Sequence, residues 1–171
     1  KIGDRFCPIQ CAIDNIGNTL EIAEFHEMDR TDGASGSSSL LKPSNHHPHF
    51  IENIIKTPVI SLESLLDHID WNRFPFIEHI KTDCEGKDFD VVKSIGKYLP
   101  NILYITSEMT SNTHHWHNSC NPNSFKSYME ENGFRCIHNG VELLCINDKL
   151  EDEYLSDITH GLSLNYKTLG H

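Results

Sequence analysis

Basic residues are scarce in this chain. Its 171 residues include 14 Lys and Arg against 25 Asp and Glu, a formal charge of −11. That balance repels phosphate backbones and excludes a general nucleic-acid binder. Long apolar runs are also missing, so no segment reaches the length of a membrane span. The six cysteines, at positions 7, 11, 84, 120, 136 and 145, form no Cys-x-x-Cys pair. This excludes a zinc ribbon and a small disulfide scaffold, and implies free thiols in an intracellular, reducing compartment, the cytoplasm. There is no internal repeat. The opening KIGDRFCPIQ has neither a signal-peptide shape nor an initiator Met. We therefore expect a processed chain or a piece of a longer polypeptide.

What is present suits one soluble domain, residues 1–171, with a single core. FCPIQCAI (Phe6–Ile13) and TLEIAEF (Thr19–Phe25) read as strands on either side of the turn Asp14–Asn18. Asp29–Ser39 is a Gly/Ser-rich loop, continued by KPSNHHPHF (Lys42–Phe50). Ser61 is placed to cap a helix whose face is Leu62, Leu65, Leu66 and Ile69. Phe76–Thr82 reads as a strand, and DFDVVKSIGKYL as a helix through Phe89, Val92, Ile95 and Leu99. Asn101–Glu108 is a near-continuous apolar strand of the kind buried on both faces. Ser124–Gly133 is a helix closed by glycine, and Asn139-Gly140 turns a hairpin. The tail from Asp148 is polar and carries little signal. Alternating strands and helices argue for an α/β fold whose sheet is mostly parallel, with an antiparallel hairpin at its C-terminal edge.

The chemistry concentrates in HIKTDCEGKDFDVVKSIG, His79–Gly96. In open α/β sheets ligands gather at the carboxyl ends of strands. Asp83 falls where one strand ends, and Glu108 where the next ends. Neighbouring strands lie roughly 5 Å apart, so the two carboxylates can share one metal ion or one substrate hydroxyl. Glu85 stands beside them, Gly86 permits a sharp turn, and Asp88 complements the start of a helix. Lys81 points to the same side as Asp83 and can pair with either carboxylate. In THHWHNSC (Thr113–Cys120), imidazoles flank Trp116; His115 is the candidate proton acceptor, with the indole as a sugar-stacking face. The structural alternatives are an acidic helix cap and a solvated polar loop.

This stretch resembles the Lys-x-Asp-x-Glu-Gly signature of the FkbM-type S-adenosylmethionine-dependent methyltransferases. CAIDNIGNTLEI, GASGSSSLL, VISLESLLD, NILYITSEM and YMEENGFRC resemble further segments of that family in the same order, over about Ile9 to Ile146. The resemblance implies a Rossmann-like class I methyltransferase sheet. The family's glycine-rich cofactor loop and ribose-binding acidic strand are not found, so the N-terminal strands are absent and the chain resembles the C-terminal two-thirds of such a domain.

The implied activity is S-adenosylmethionine-dependent O-methylation of a hydroxyl, on a saccharide or glycoside acceptor, with fusion to a glycan-building enzyme as one setting. Ala12, Ile13, Asp14 and Asp83 are the implied cofactor-binding residues. Asp83, Glu85, Glu108 and His115 are the candidate catalytic residues. Asp83 and Glu108 are candidate ligands for a divalent ion, Mg²⁺ or Mn²⁺. Two alternatives stay open: a non-catalytic remnant or binding module retaining this half of the fold, and a metal-dependent hydrolase built on Asp83, Glu108 and the histidine loop.

Overall fold

The apolar strand expected at Asn101–Glu108 organises the structure. In the computed structural model, which describes residues 7–30, 37–45, 47, 50–109 and 115–156, it is β5 (Ile102–Glu108) in the present numbering. Ile102, Leu103 and Ile105 are fully buried. Around it lie β4 (Ile77–Thr82), β6 (Phe134–His138) and β7 (Glu142–Asn147), in the order β4-β5-β7-β6. β4 runs parallel to β5, and β7 runs antiparallel to both β5 and β6. A second sheet has the order β1-β3-β2, from β1 (Ala12–Ile13), β2 (Glu21–Arg30) and β3 (Phe50–Ile60).

The helices are short. Ser61 caps α1 (Leu62–Leu66), its hydroxyl accepting from the Ser64 amide at 3.1 Å. α2 (Asp88–Lys93) follows β4, and α3 (Pro122–Glu131) ends at Asn132 with Gly133 beyond it. One core gathers Val92, Ile95, Leu99, Ile102, Ile105, Phe125, Met129 and Cys145, with Leu66 from α1. The predicted hairpin is present. Asn139 holds its turn by accepting from the amides of Val141 and Glu142, at 3.1 and 2.7 Å.

Several expectations need correction. The sheet is not mostly parallel: among the described residues the two sheets contain two parallel pairings, β1/β3 and β4/β5, and three antiparallel ones. The physical reason is that β7 turns back from the hairpin and inserts between β5 and β6. β4 pairs with β5 as expected but stands at the end of its sheet's order, not in the centre. β3 carries no clear strand signal in the sequence, because Pro58 and a run of mixed polarity hide its alternation. It pairs with β2 as a long ribbon from Glu21↔Val59 to Arg30↔Phe50. Of the strand expected at Phe6–Ile13, only Ala12–Ile13 pairs within the described residues.

The helix expected over 88–99 ends at Lys93, three residues before Gly96, whose φ is +58°. That conformation favours glycine, and from Gly96 the chain continues as a 3-10 helix, Gly96–Asn101. The polar tail also holds structure: residues 148–156 are helical. Asn147 accepts from the Leu150 amide at 3.3 Å in the manner of an N-cap, and Arg135 reaches Asp148 and Glu151 at 3.1 and 2.7 Å.

Since Ile105 is fully buried between two paired strands, Ile105→Ala should destabilise the fold by about 2–5 kcal/mol through lost burial and a residual cavity. Urea unfolding with an unchanged denaturant slope would measure it.

Candidate functional site

The rim is set by the β4/β5 register. Thr82 lies opposite Ser107, and both are buried. The Thr82 hydroxyl donates to Ser107 Oγ at 2.8 Å, tying the two strand ends together. The next residue on each strand is a carboxylate on the other face: Asp83 and Glu108. The two are hydrogen-bonded to each other, and Glu108 is pushed up to about 7. The bond to Asp83 is the main cause; partial burial and the charges of Asp83, Glu85 and Asp88 add to it. Glu108 therefore keeps its proton to higher pH than an ordinary carboxyl.

Beyond Asp83 the chain makes a tight elbow. Glu85 and Gly86 both take positive φ, +48° and +92°. A β-carbon on residue 86 would sit 3.0 Å from Ser119 Cβ and 3.2 Å from Leu41, a tight fit that adds to the backbone's preference for glycine. Asp88 is 1% exposed and accepts from the Cys84 amide at 3.2 Å. Burial raises its carboxyl, and the hydrogen bond from the Cys84 amide opposes this. Asp88 thus braces the elbow from inside. Ser39, also buried, donates to the Glu85 carbonyl at 3.1 Å and accepts from the Leu41 amide at 3.1 Å. It fastens the end of the Gly/Ser segment onto the elbow.

Two cavities meet this rim. The larger, about 530 Å³, opens between the first sheet and the β4–α2 unit. Ala12, Ile13, Phe25, Leu40, Leu62, Ile80 and Val91 give it apolar walls, and Lys81, Asp83 and Lys87 give it charge. The smaller, about 40 Å³, is lined by Glu85, Glu108, His115, Trp116, Ser119 and Cys120, among others. It has room for water or the end of a hydroxyl group, not for a sugar ring. Asp83 lines the larger cavity and Glu108 the smaller, so the hydrogen-bonded carboxylates stand between them.

The sequence-predicted residues fare unequally. Ala12, Ile13 and Asp83 line the larger cavity together. Asp14 does not reach it freely: its carboxylate is held by Lys87 Nζ at 2.8 Å, and Lys87 also binds Asp90 at 3.0 Å. Lys81 pairs with Glu142 at 2.5 Å instead of with Asp83 or Glu108. Glu85, Glu108 and His115 come together around the smaller cavity. Trp116 is no stacking platform. It is 4% exposed, its N–H donates to Glu85 Oε2 at 3.2 Å, and its ring meets His47 edge-on at 4.7 Å.

Burial pushes the Glu85 carboxyl up, and the Trp116 hydrogen bond partly offsets this. Trp116 also bridges to Pro43, while the His117 amide donates to the Lys42 carbonyl at 3.0 Å. The 115–117 segment and the 42–44 segment are therefore zipped together. His114 lies outside the described residues, as does part of each histidine-rich stretch and of the Gly/Ser loop.

The divalent-ion expectation finds no support. Among the described residues no group of three or more His, Cys, Asp and Glu is arranged to hold an ion. The two proposed ligands, Asp83 and Glu108, make a donor set of two carboxyl groups, short of the about six to eight oxygens that a calcium ion takes, or the octahedral set that magnesium demands. Sequence reasoning missed Lys87, Phe25 and Leu62 on the larger cavity, because nothing local marks them as facing a common space. Ser39 was legible only as part of the Gly/Ser segment.

Two sheets with short helices, a carboxylate rim and a roomy cleft at the strand ends describe an α/β protein. Residues 6–136 match the methyltransferase FkbM domain, and the chain belongs to that family. No curated protein and no solved structure matches it.

The raised Glu108 carboxyl makes stability pH-dependent in a defined sense. A folded pKa of about 7 against an ordinary 4.5 gives stabilisation that is fully present in acid and is lost as pH rises through 7. Between about pH 5 and pH 8 the wild-type melting temperature should therefore fall more than that of Glu108→Gln, whose amide donates to Asp83 at any pH. Calorimetric scans of both proteins across that range would check it.

Proposed function

We propose that this chain serves S-adenosylmethionine-dependent O-methyl transfer to a hydroxyl, with a saccharide or glycoside as the acceptor class. Membership of a methyltransferase family supports the reaction type. The observation that carries the rest is the Asp83–Glu108 pair standing between a large and a small cavity.

The larger cavity falls in the volume range of small-molecule sites, roughly 300–1,000 Å³. Its apolar walls suit a flat purine, with Ala12 and Ile13 on that side. Asp83 suits the cationic amino-acid end of S-adenosylmethionine, and Lys81 or Lys87 its carboxylate. When bound there, that cofactor supplies an electrophilic methyl group. Asp83 and Glu108 would sit beside the reacting oxygen, and Glu85 with His115 would orient it from the smaller cavity.

Removing the hydroxyl proton is the chemical difficulty, since a sugar hydroxyl is a weak acid. A base is most useful when its pKa lies near the working pH. Glu108, at about 7, meets that condition better than an ordinary carboxylate. Ionised above that pH, it accepts the proton from the acceptor oxygen, while Asp83 stays within hydrogen-bonding reach to share it. The smaller cavity limits water to very few molecules, which keeps these charges effective. No metal step is invoked. An intracellular, reducing setting accords with the six free thiols.

Calorimetry with S-adenosylmethionine and S-adenosylhomocysteine, on this chain and on any longer polypeptide that carries it, tests cofactor use. Absence of binding in both would favour a binding module that keeps the fold without the reaction. With an active form, Glu108→Gln should lower kcat by about 10²–10⁴ with cofactor affinity changed less than about threefold. The wild-type rate should climb with pH through about 7 and then level, and the variant should lose that step. Chelators should leave the rate unchanged. A Glu108→Gln rate within about threefold of wild type would leave the rim a structural cap.

A further inference from the structure

The six thiols take no part in the chemistry above, yet two of them are paired by the fold. Cys136 on β6 and Cys145 on β7 lie directly opposite each other in the antiparallel register. Their sulfurs are 3.0 Å apart and hydrogen-bonded. Opposed residues in antiparallel strands have Cα atoms about 4.5 or 5.5 Å apart, and both spacings lie within the range that a disulfide spans. Bond formation needs the two sulfurs to close by about 1 Å, to the ordinary disulfide length of about 2.05 Å, with no change of register.

The two thiols also differ in the way a reactive pair requires. Cys145 is fully buried in the core, whereas Cys136 is half-buried on β6, the last strand in its sheet's order. The Cys145 contact holds Cys136 below the usual thiol range, and the same contact with burial pushes Cys145 up. Cys136 is thus the member that meets an oxidant first, and Cys145 the one that resolves it.

We infer that Cys136 and Cys145 form a peroxide-sensitive dithiol that closes to a cross-strand disulfide, a modification site separate from the carboxylate rim. The Cys136 thiolate attacks one oxygen of hydrogen peroxide, the O–O bond breaks, and the departing hydroxide leaves as water after taking up a proton. The product is a sulfenic acid on Cys136. The Cys145 sulfur then attacks the Cys136 sulfur, the S–O bond breaks, and the hydroxide released takes the Cys145 proton as a second water. The dithiol loses two electrons and two protons, and peroxide is reduced to two waters. The bond would fasten the edge strand β6 to β7 and restrict the unfolded chain.

Trypsin cuts after Arg135 and Lys149, so both cysteines fall in one peptide, residues 136–149. The folded protein is treated with hydrogen peroxide, quenched, alkylated and digested. The expected product is that peptide lighter by two hydrogens, unalkylated at both cysteines and restored by dithiothreitol. Its formation should raise the melting temperature by roughly 5 °C. In Cys136→Ser, Cys145 should stay reduced and fully alkylated after unfolding. The inference is overturned if the wild-type peptide is recovered alkylated at both positions or with Cys136 as a sulfinic acid. It is equally overturned if Cys145 is oxidised as fast in Cys136→Ser as in the wild type.

Discussion

One buried hydrogen bond, Thr82 to Ser107, fixes the geometry on which the site depends. It locks β4 and β5 in parallel register at their carboxyl ends, where the ladder between these two strands stops. With Thr82 and Ser107 turned inward, alternation leaves Asp83 and Glu108 no choice but to lie side by side on the other face. Two carboxylates that close cannot both ionise freely, and the raised Glu108 pKa is the consequence. A slip of one residue would bury the acids and expose the hydroxyls, at a cost of several kcal/mol per uncompensated charge.

The elbow after Asp83 is the second constraint, and it is met by long-range contacts, not by its own sequence. Positive φ at Glu85 is unfavourable for a residue with a side chain, and it persists because neighbours hold it from three sides. Asp88 secures the Cys84 amide, Ser39 the Glu85 carbonyl, and Trp116 the Glu85 carboxylate. These partners come from α2, from the segment after β2, and from the segment after β5.

The first sheet plays a different role. Its ribbon β2–β3 leaves Ile22, Ile54 and Ile55 exposed, and β1 contributes only two paired residues. Its functional contribution lies at one end, where β1 and the Ser38–Leu40 segment close the larger cavity against β4. The Asp14–Lys87 ion pair joins that end to α2. It is mostly buried and also bound to Asp90, which gives it more weight than an exposed surface pair.

Much of the second sheet was readable from local pattern. The apolar run of β5, the Asn139-Gly140 turn and the Ser61 cap each declare themselves within a few residues, because burial, turn geometry and capping act locally. Linked motifs likewise identified the FkbM family, and the acidic residues at two strand ends marked the rim. Tertiary structure alone decided the rest. It placed β7 between β5 and β6, ended the α-helix at Lys93, and revealed β3 as the partner of β2. It assigned Lys81 to Glu142 and Asp14 to Lys87, and turned Trp116 from a presumed sugar platform into a brace for Glu85. Each of these outcomes rests on which distant groups compete for the same charge or the same space, and spacing along a chain holds no record of that competition.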